Sequence, residues 1–293
     1  MFTGIAASVA LRSNDASPLI DSVTKDIRPV TAAKSSSVTM FVPASASSVV
    51  NVGAGCTVQS DVALTPKSIL LDQHPATRFA VPDYDRARSD YDFDTNLIQE
   101  KVDQMIGYVE DAIGDLFTAA NFDAYGVIVG NNDTITDANM STAFYNLASN
   151  KIPVRDTRNL HLVADTLVYS NLLKEASWTQ NVTLGDGAES VRRTAMIGQQ
   201  WGGYVDFSTS LPSPGVGQYT AAYFHSSAIG LVVRVMPTPT DSGVKSSILY
   251  YRGIPIRIII GYDHACLAEM VSLDALFGVG VLRKTACTLI HTT

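Results

Sequence analysis

Between Asp92 and Ala120 the apolar residues recur at Leu97, Ile98, Val102, Met105, Ile106, Val109, Ile113, Leu116, Phe117 and Ala120. Steps of three and four place one continuous apolar stripe along a helix. The spacing predicts a helix over 92–120, about 40 Å long at the standard rise per residue. Asp94, or Asp92, can accept hydrogen bonds from the free N–H groups of the first turn, and Glu100 sits early enough to favour the positive end of the dipole. No proline interrupts the stretch, although Gly107 and Gly114 each cost about 1 kcal/mol relative to alanine. Such a helix is longer than a compact domain needs, so it reads as a strut with other elements laid across it.

Upstream the period falls to two. Val38–Val42 alternates, as do Ile69–Leu71 and Arg78–Val81, with the small-residue stretches Ala44–Gly55 and Thr57–Thr65 between them. Together they predict a long β-hairpin with a tip rich in Ser, Ala, Val and Gly. A lone two-stranded hairpin is not stable in water, so this one must lie against another surface, and one chain is not expected to offer enough. Residues 1–36 are small, polar and irregular, and read as an extended arm with too few large apolar groups to fold alone.

The segment from Asp83 to Asp94 crowds acids and arginines together ahead of the strut. Arg78, Asp83, Asp85, Arg86, Arg88 and Asp90 are the candidate contacts between subunits. The competing reading is a solvated lead-in to the helix, in which each exposed pair contributes only about 0–1 kcal/mol.

Downstream, Asn121–Asp137 carries loop signals and Ala138–Asn150 a short helix. Asn159–Val163 predicts a strand and Asp165–Glu175 a helix with Leu167, Val168, Leu172 and Leu173 on one face. Gly185–Gly187 marks a loop, Trp201–Ser208 begins a strand, and Leu211–Gly215 is a turn. Tyr219–Phe224 and Ala228–Val235 are further strands, and Ile248–Tyr251 with Ile254–Tyr262 form a hairpin around Arg252-Gly253. Leu267–Leu273, Val279–Leu282 and Cys287–Ile290 complete the chain. Short strands mixed with helices, without regular alternation, define an α+β class.

Composition narrows the possibilities. A chain of 293 residues can bury a sizeable core as one large or two small domains. Charged residues make up only 17%, against about 25% in a typical protein. That fits either a large well-buried monomer or a chain that hides surface against partners. The net charge of −7, with no basic cluster, argues against sequence-reading nucleic-acid recognition, though not against enclosing nucleic acid neutralised by counterions. Cys56, Cys266 and Cys287 lie far apart, which fits buried thiols better than a disulfide framework or a zinc site. No apolar run approaches the length of a membrane span, and Met1–Ala10 lacks the basic start of a signal peptide. The triplets at Asn132, Asn139 and Asn181 read as chance glycosylation matches.

Candidate chemistry is sparse. There is no phosphate-binding loop, GxGxxG after a strand, GxSxG elbow or HExxH. His74, His161, His225, His264 and His291 show no ligand spacing. Asp263-His264-Ala265-Cys266 is the one stretch open to a Cys/His reading, and it reads first as a packed strand. Glu110, Asp111 and Asp115 lie near one another on the strut and read as a solvated polar face before they read as paired catalytic carboxylates. Trp178 and Trp201 read as core or interface anchors. No cofactor, metal or enzymatic activity is expected.

The order of parts, with four segments in sequence, resembles the major capsid proteins of tailed phages, the Hong Kong 97 fold. Arg158–Lys174 looks like that family's strand, turn and tyrosine-bearing helix. Ile197–Pro212 is similar to its glycine, strand and Leu-Pro segment, and Phe224–Arg234 to its histidine, small-residue and Ala-Ile element. Asp274–Arg283 is similar to its aromatic-Gly and Val-Leu-Arg closing strand. The resemblance runs from Ser37 to the end of the chain. It implies an N-terminal arm over 1–36, an E-loop hairpin over 37–88 and a P-domain spine helix over 89–120. It further implies an A-domain over 121–240, and a returning segment over 241–293 that completes the A-domain and P-domain. The implied partners are copies of the chain itself in hexamers and pentamers, a separate scaffolding protein, a portal, a decoration protein where one is used, and packaged double-stranded DNA without sequence recognition. The implied place is the virion, assembled in the host cytoplasm, with no membrane. An encapsulin-like nanocompartment shell and an uncharacterised α+β enzyme are the alternatives.

Two departures from the family matter. No long helical region precedes the hairpin to serve as a built-in scaffold, so the chain is expected to be unprocessed. Prototype members also cross-link an E-loop lysine to a P-domain asparagine. Here Lys67 is the only lysine between Ser37 and Arg88, and no asparagine occurs from Asp263 to Thr293. Intact particles run on a denaturing gel should therefore give monomer; a covalent ladder is the contrary result.

Overall fold

The computed structural model describes residues 18–29, 35–43, 64–88, 93–122, 127–130, 134–175, 195–213, 215, 218–239 and 243–292. The helices are α1 (Pro18–Ser22), α2 (Asp83–Arg88), α3 (Phe93–Gly114), α4 (Asp137–Ser149) and α5 (Thr166–Leu172). The strands of the first half are β1 (Thr24–Arg28), β2 (Ser37–Pro43), β3 (Leu64–Leu70), β4 (Ala76–Pro82), β5 (Val127–Gly130) and β6 (Leu160–Ala164). Next come β7 (Gly198–Gln200), β8 (Gly203–Phe207), β9 (Thr220–His225) and β10 (Ile229–Arg234). The chain closes with β11 (Lys245–Tyr251), β12 (Ile254–Asp263), β13 (Ala268–Asp274), β14 (Leu276–Val281) and β15 (Cys287–Thr292).

Helix α3 is the predicted strut, cut short. Its apolar stripe is buried along its length at Ile98, Val102, Met105, Ile106, Val109 and Ile113. It stops at Gly114 because another part of the chain crosses there at backbone distance. A Cβ on Gly114 would lie 2.0 Å from the carbonyl oxygen of Ser210. Residues 115–122 continue as tight turns, with Phe117 N donating to Gly114 O at 2.9 Å and Phe122 N to Thr118 O at 3.1 Å. The helical period outlasts the helix because Phe117 is still fully buried, its ring 5.0 Å from that of Phe224 on β9. Asp94 falls inside the helix, and Asp92 lies outside the described residues.

Three sheets surround this axis. The six-stranded sheet has the order β5-β15-β9-β6-β8-β7, the four-stranded sheet β11-β12-β13-β4, and the three-stranded sheet β1-β10-β14. Burial on both faces explains why β9 and β10 read as unbroken apolar runs instead of alternating ones. The β11–β12 hairpin turns at Arg252 (φ 49°) and Gly253 (φ 80°), the two left-handed positions that a tight two-residue hairpin loop uses. The last strand, β15, runs antiparallel to β9 and parallel to β5, which lies in the stretch read as loop. Helix α4 starts with a capping box between Thr136 and Asn139, so Asn139 is occupied in holding a helix start.

The hairpin is shorter than the alternation predicts. Strands β2 and β3 pair antiparallel from Ser37↔Leu70 to Pro43↔Leu64. Strand β4 leaves them and pairs with β13, from Ala268↔Pro82 to Asp274↔Ala76. Alternation marked β4 as a strand because Phe79 and Val81 face inward, but it carried no information about a partner nearly two hundred residues away.

Nor does the hairpin find all its burial elsewhere. Its base closes a small apolar cluster in which Val38 and Ile69 meet Val232 and Leu282. Glycines on β10 and β14 make the approach possible, most tightly at Gly278, where a Cβ would stand 1.8 Å from the carbonyl oxygen of Leu70. Residues 18–28 also depart from the extended-arm reading. Leu19 and Ile20 are fully buried, and β1 pairs parallel with β10 from Thr24↔Gly230 to Arg28↔Arg234. Because the obstructing atom at Gly278 is backbone, Gly278→Ala should force the hairpin off its seat. The expected loss is about 2 kcal/mol in chemical denaturation of the chain, with no change beyond helix propensity at the control Gly107→Ala, where a Cβ meets open space.

Candidate assembly interface

The predicted contact residues cluster only in part. Arg78 is exposed on β4, and Asp83, Asp85 and Arg88 are exposed on α2, which follows directly. Asp83 is used within the chain, accepting a hydrogen bond from the Tyr262 hydroxyl, while its backbone N donates to Leu267 O at 3.0 Å. Arg88 folds back on its own helix, donating to the Tyr84 hydroxyl at 2.8 Å with its guanidinium 5.0 Å from that ring. The Arg86 side chain and the whole of Asp90 lie outside the described residues. Asp85 and Arg78 thus remain presented outward, and Asp83 and Arg88 have local employment.

A second exposed surface is apolar and was not singled out from the sequence. With β2 and β3 in register, one hairpin face carries Val38, Met40 and Ile69 toward the body. The opposite face carries Phe41, Pro66 and Leu70, with Phe41 65% and Leu70 57% exposed. Side chains of that size gain about 1.5–3 kcal/mol each when they are covered.

Chemistry that sequence reasoning placed at the surface is inside. Glu110 is buried, and its carboxylate accepts from Leu19 N at 3.0 Å, Ile20 N at 3.1 Å and Ser208 Oγ at 3.2 Å. The first turn of α1 has free N–H groups and begins with Pro18, which has none to satisfy; Glu110 supplies the acceptor that a local capping residue ordinarily would. Burial pushes the carboxyl up to about 7, against the pull of those three hydrogen bonds and of the Arg252 charge. Outside this contact Asp21 pairs with Lys25 at 2.8 Å and with Arg252 at 3.1 Å. Asp111 and Asp115 stay exposed, as the polar-face reading expected.

Beside α1 opens a cleft of about 400 Å³ lined by His161, Tyr169, Tyr204, Asp206, Phe207 and Met196, among others. Burial lowers His161 to about 4 and raises Asp206, the latter helped by the charge of Asp21. In the four-stranded sheet Arg257 grips Asp274 with two nitrogens, Nε to Oδ1 at 2.9 Å and Nη2 to Oδ2, while His74 Nε2 lies 3.2 Å from the same Oδ2. Asp263 ends β12, and His264–Cys266 lie in the exposed turn between β12 and β13 instead of a packed strand. There Asp263 Oδ1 accepts from Ala265 N at 2.9 Å and its charge raises the Cys266 thiol, the opposite of activation. Trp201 is partly exposed at the turn before β8, and its carbonyl accepts from the Tyr223 hydroxyl at 2.8 Å. Trp178, Cys56 and Gly185–Gly187 lie outside the described residues. Among the described residues no group of three His, Cys, Asp or Glu side chains could hold a metal, and no helix is long and apolar enough to cross a membrane.

This arrangement of a hairpin, a long helix and three sheets is the fold of tailed-phage major capsid proteins. The chain superposes on the capsid protein of the cyanophage P-SCSP1u with a TM-score of 0.66, over 96% of this chain and 89% of that one, at 14% identity. It is similar to the capsid protein of Ralstonia phage GP4, with a TM-score of 0.65 over 94% and 88% of the two chains at 10% identity. It is also similar to the SrpI encapsulin of Synechococcus elongatus PCC 7942, with a TM-score of 0.53 over 95% and 88% at 13% identity. No family model matches the sequence, and no curated protein matches it.

The buried ion pair gives a direct test of the packing. Removing the guanidinium in Arg257→Ala takes both of its hydrogen bonds from a carboxylate whose side chain is only 12% exposed and leaves it to the half-exposed His74. The variant should lose about 3 kcal/mol of unfolding free energy, measured by chemical denaturation at neutral pH.

Proposed function

We propose that this chain is the major capsid protein of a tailed double-stranded DNA phage, assembling through hexamers and pentamers into an icosahedral shell around the genome. The observation that carries this reading is the fold match, which spans nearly the whole of this chain and of the cyanophage capsid protein. On this reading the work is done by repeated contacts between copies and not by catalysis.

The parts take the following roles. Residues 1–36 are the N-terminal arm, with 18–28 as its anchored root, and β2–β3 is the body of the E-loop within 37–88. Helix α3, within 89–120, is the spine of the P-domain, and residues 121–240 form most of the A-domain. The returning segment 241–293 completes both domains. That division is supported by β11–β13 pairing onto β4 beside α3, and by β15 entering the six-stranded sheet. The outward face of the hairpin, with Phe41 and Leu70, and the outward charges Arg78 and Asp85 are the surfaces assigned to neighbouring copies. A separate scaffolding protein, a portal and, where present, a decoration protein are the remaining partners, and the DNA is enclosed without sequence recognition. The phage reading is preferred to an encapsulin shell because the phage capsid chains superpose more closely, at 0.66 and 0.65 against 0.53.

Electron microscopy of particles purified after production with the scaffolding protein should show closed icosahedral shells. Particles from infected cells should hold nuclease-protected DNA. A dilute monomer that forms no particle under either condition would overturn the assignment, and shells filled with protein cargo would move it to the encapsulin class.

A further inference from the structure

We propose that Glu110 is a proton-operated latch on α1, residues 18–22: the protonated carboxyl keeps α1 docked on α3, and loss of the proton favours its local release. The inference rests on packing within one chain and stands apart from the shell reading.

The geometry sets two effects against each other. Three donors converge on the carboxylate oxygens, from Leu19 N, Ile20 N and Ser208 Oγ, and each favours the charged form. The same residue is only 5% exposed, with the backbone of Leu19 and Ile20 bonded to it, so the charged form is denied water while the segment stays docked. Release hydrates the carboxylate at once. Among the described residues no cation stands in contact with it. Asp21 and Lys25 are paired with each other, and Arg252, also bonded to Asp21, acts on Glu110 through its charge. Asp206 on β8 and His161 on β6, the latter held neutral down to about 4, line the neighbouring cleft with Asp21, and Asp111 on α3 points outward.

Burial outweighs the hydrogen bonds, and the docked carboxyl titrates near 7 against 4.5 when free. A group whose proton is held more tightly in the docked state stabilises docking at low pH. That advantage is lost progressively as the pH rises from 4.5 to about 7, and nothing further is lost above. The switch therefore works across neutrality, closed in acid and loosened in mild base. The ion pairs of Asp21 and the β1–β10 ladder keep the remainder of the segment attached, so the response is local.

Hydrogen exchange on the full, unassembled chain, read at peptides containing Leu19 and Ile20 and corrected for intrinsic exchange, tests this. The opening equilibrium should rise roughly fiftyfold between about pH 5 and pH 8, following the linkage slope. Glu110→Gln, a neutral isostere, should abolish that rise. A flat wild-type profile, an opening that falls with pH, or an undiminished rise in Glu110→Gln would overturn the proposal. Should Glu110→Gln fail to fold, Ser208→Ala removes one hydrogen bond to the charged form and must shift the midpoint to higher pH; an unmoved midpoint sinks the latch. Asp206→Asn should leave the rise in place, and its disappearance there would assign the titration to Asp206 instead.

Discussion

One face of one helix fixes the relative positions of everything else. The stripe from Ile98 to Ile113 on α3 is covered by β4 and β13 on one side and by α1 on another. Phe117, just beyond the helix, reaches the six-stranded sheet through Phe224. Each covering element comes from a different part of the sequence, so none can form its own core and all depend on the same apolar surface. That constraint explains why α3 must be both long and uninterrupted. It also explains why the helix ends where the chain at Ser210 needs to cross it at backbone distance.

The cost of such an arrangement falls on polar groups trapped where the elements meet. At the start of α1, free N–H groups come down onto an apolar helix and need an acceptor. Glu110 provides one, at the expense of taking a carboxyl out of water. A neutral acceptor would have held the segment without pH sensitivity, and an exposed capping residue would have left Leu19 and Ile20 unsealed. The buried acid gives tight local geometry together with a stability that depends on its proton. At Asp274 the same problem is solved differently, by a guanidinium in direct bidentate contact that removes the conflict.

Period and turn chemistry made most of the elements readable. The stripe on α3, the alternation of β2 and β4, and the Arg252-Gly253 turn of the β11–β12 hairpin all followed from local pattern. What stayed hidden was decided by distant partners. Strand β1, with the sequence Thr-Lys-Asp-Ile-Arg, looks like polar arm because its hydrogen bonds, and not its side chains, tie it to β10. Glu110 looked solvated because the groups that bury it lie about ninety positions away, as backbone N–H donors that no side-chain pattern records. Of the contact residues, charge crowding found α2, but it could not foresee that Tyr262 and Tyr84 would occupy Asp83 and Arg88. The apolar outer face of the hairpin was overlooked because Phe41 and Leu70 sit on the opposite parity from the residues that make the alternation visible.

If the chain forms the proposed shell, its sparse charge acquires a physical meaning. Contact surfaces between proteins are depleted in Lys, Glu and Asp at their centres, so a subunit covered by neighbours on several sides needs fewer charges than a free monomer of its size. The two-faced hairpin fits the same logic: its inner face is partly covered at home on β10 and β14, and its outer face has no cover within the described chain. The sheet edges at β4 and β11 are a further case, since exposed edges invite pairing and are ordinarily blunted by charge. On β4 that charge is Arg78, beside the acid and arginine cluster of α2, which would let a neighbour approach in one register and repel it in others. In the proposed shell a net charge of −7 would work in the same direction, keeping the chain from gripping DNA that it would need only to surround.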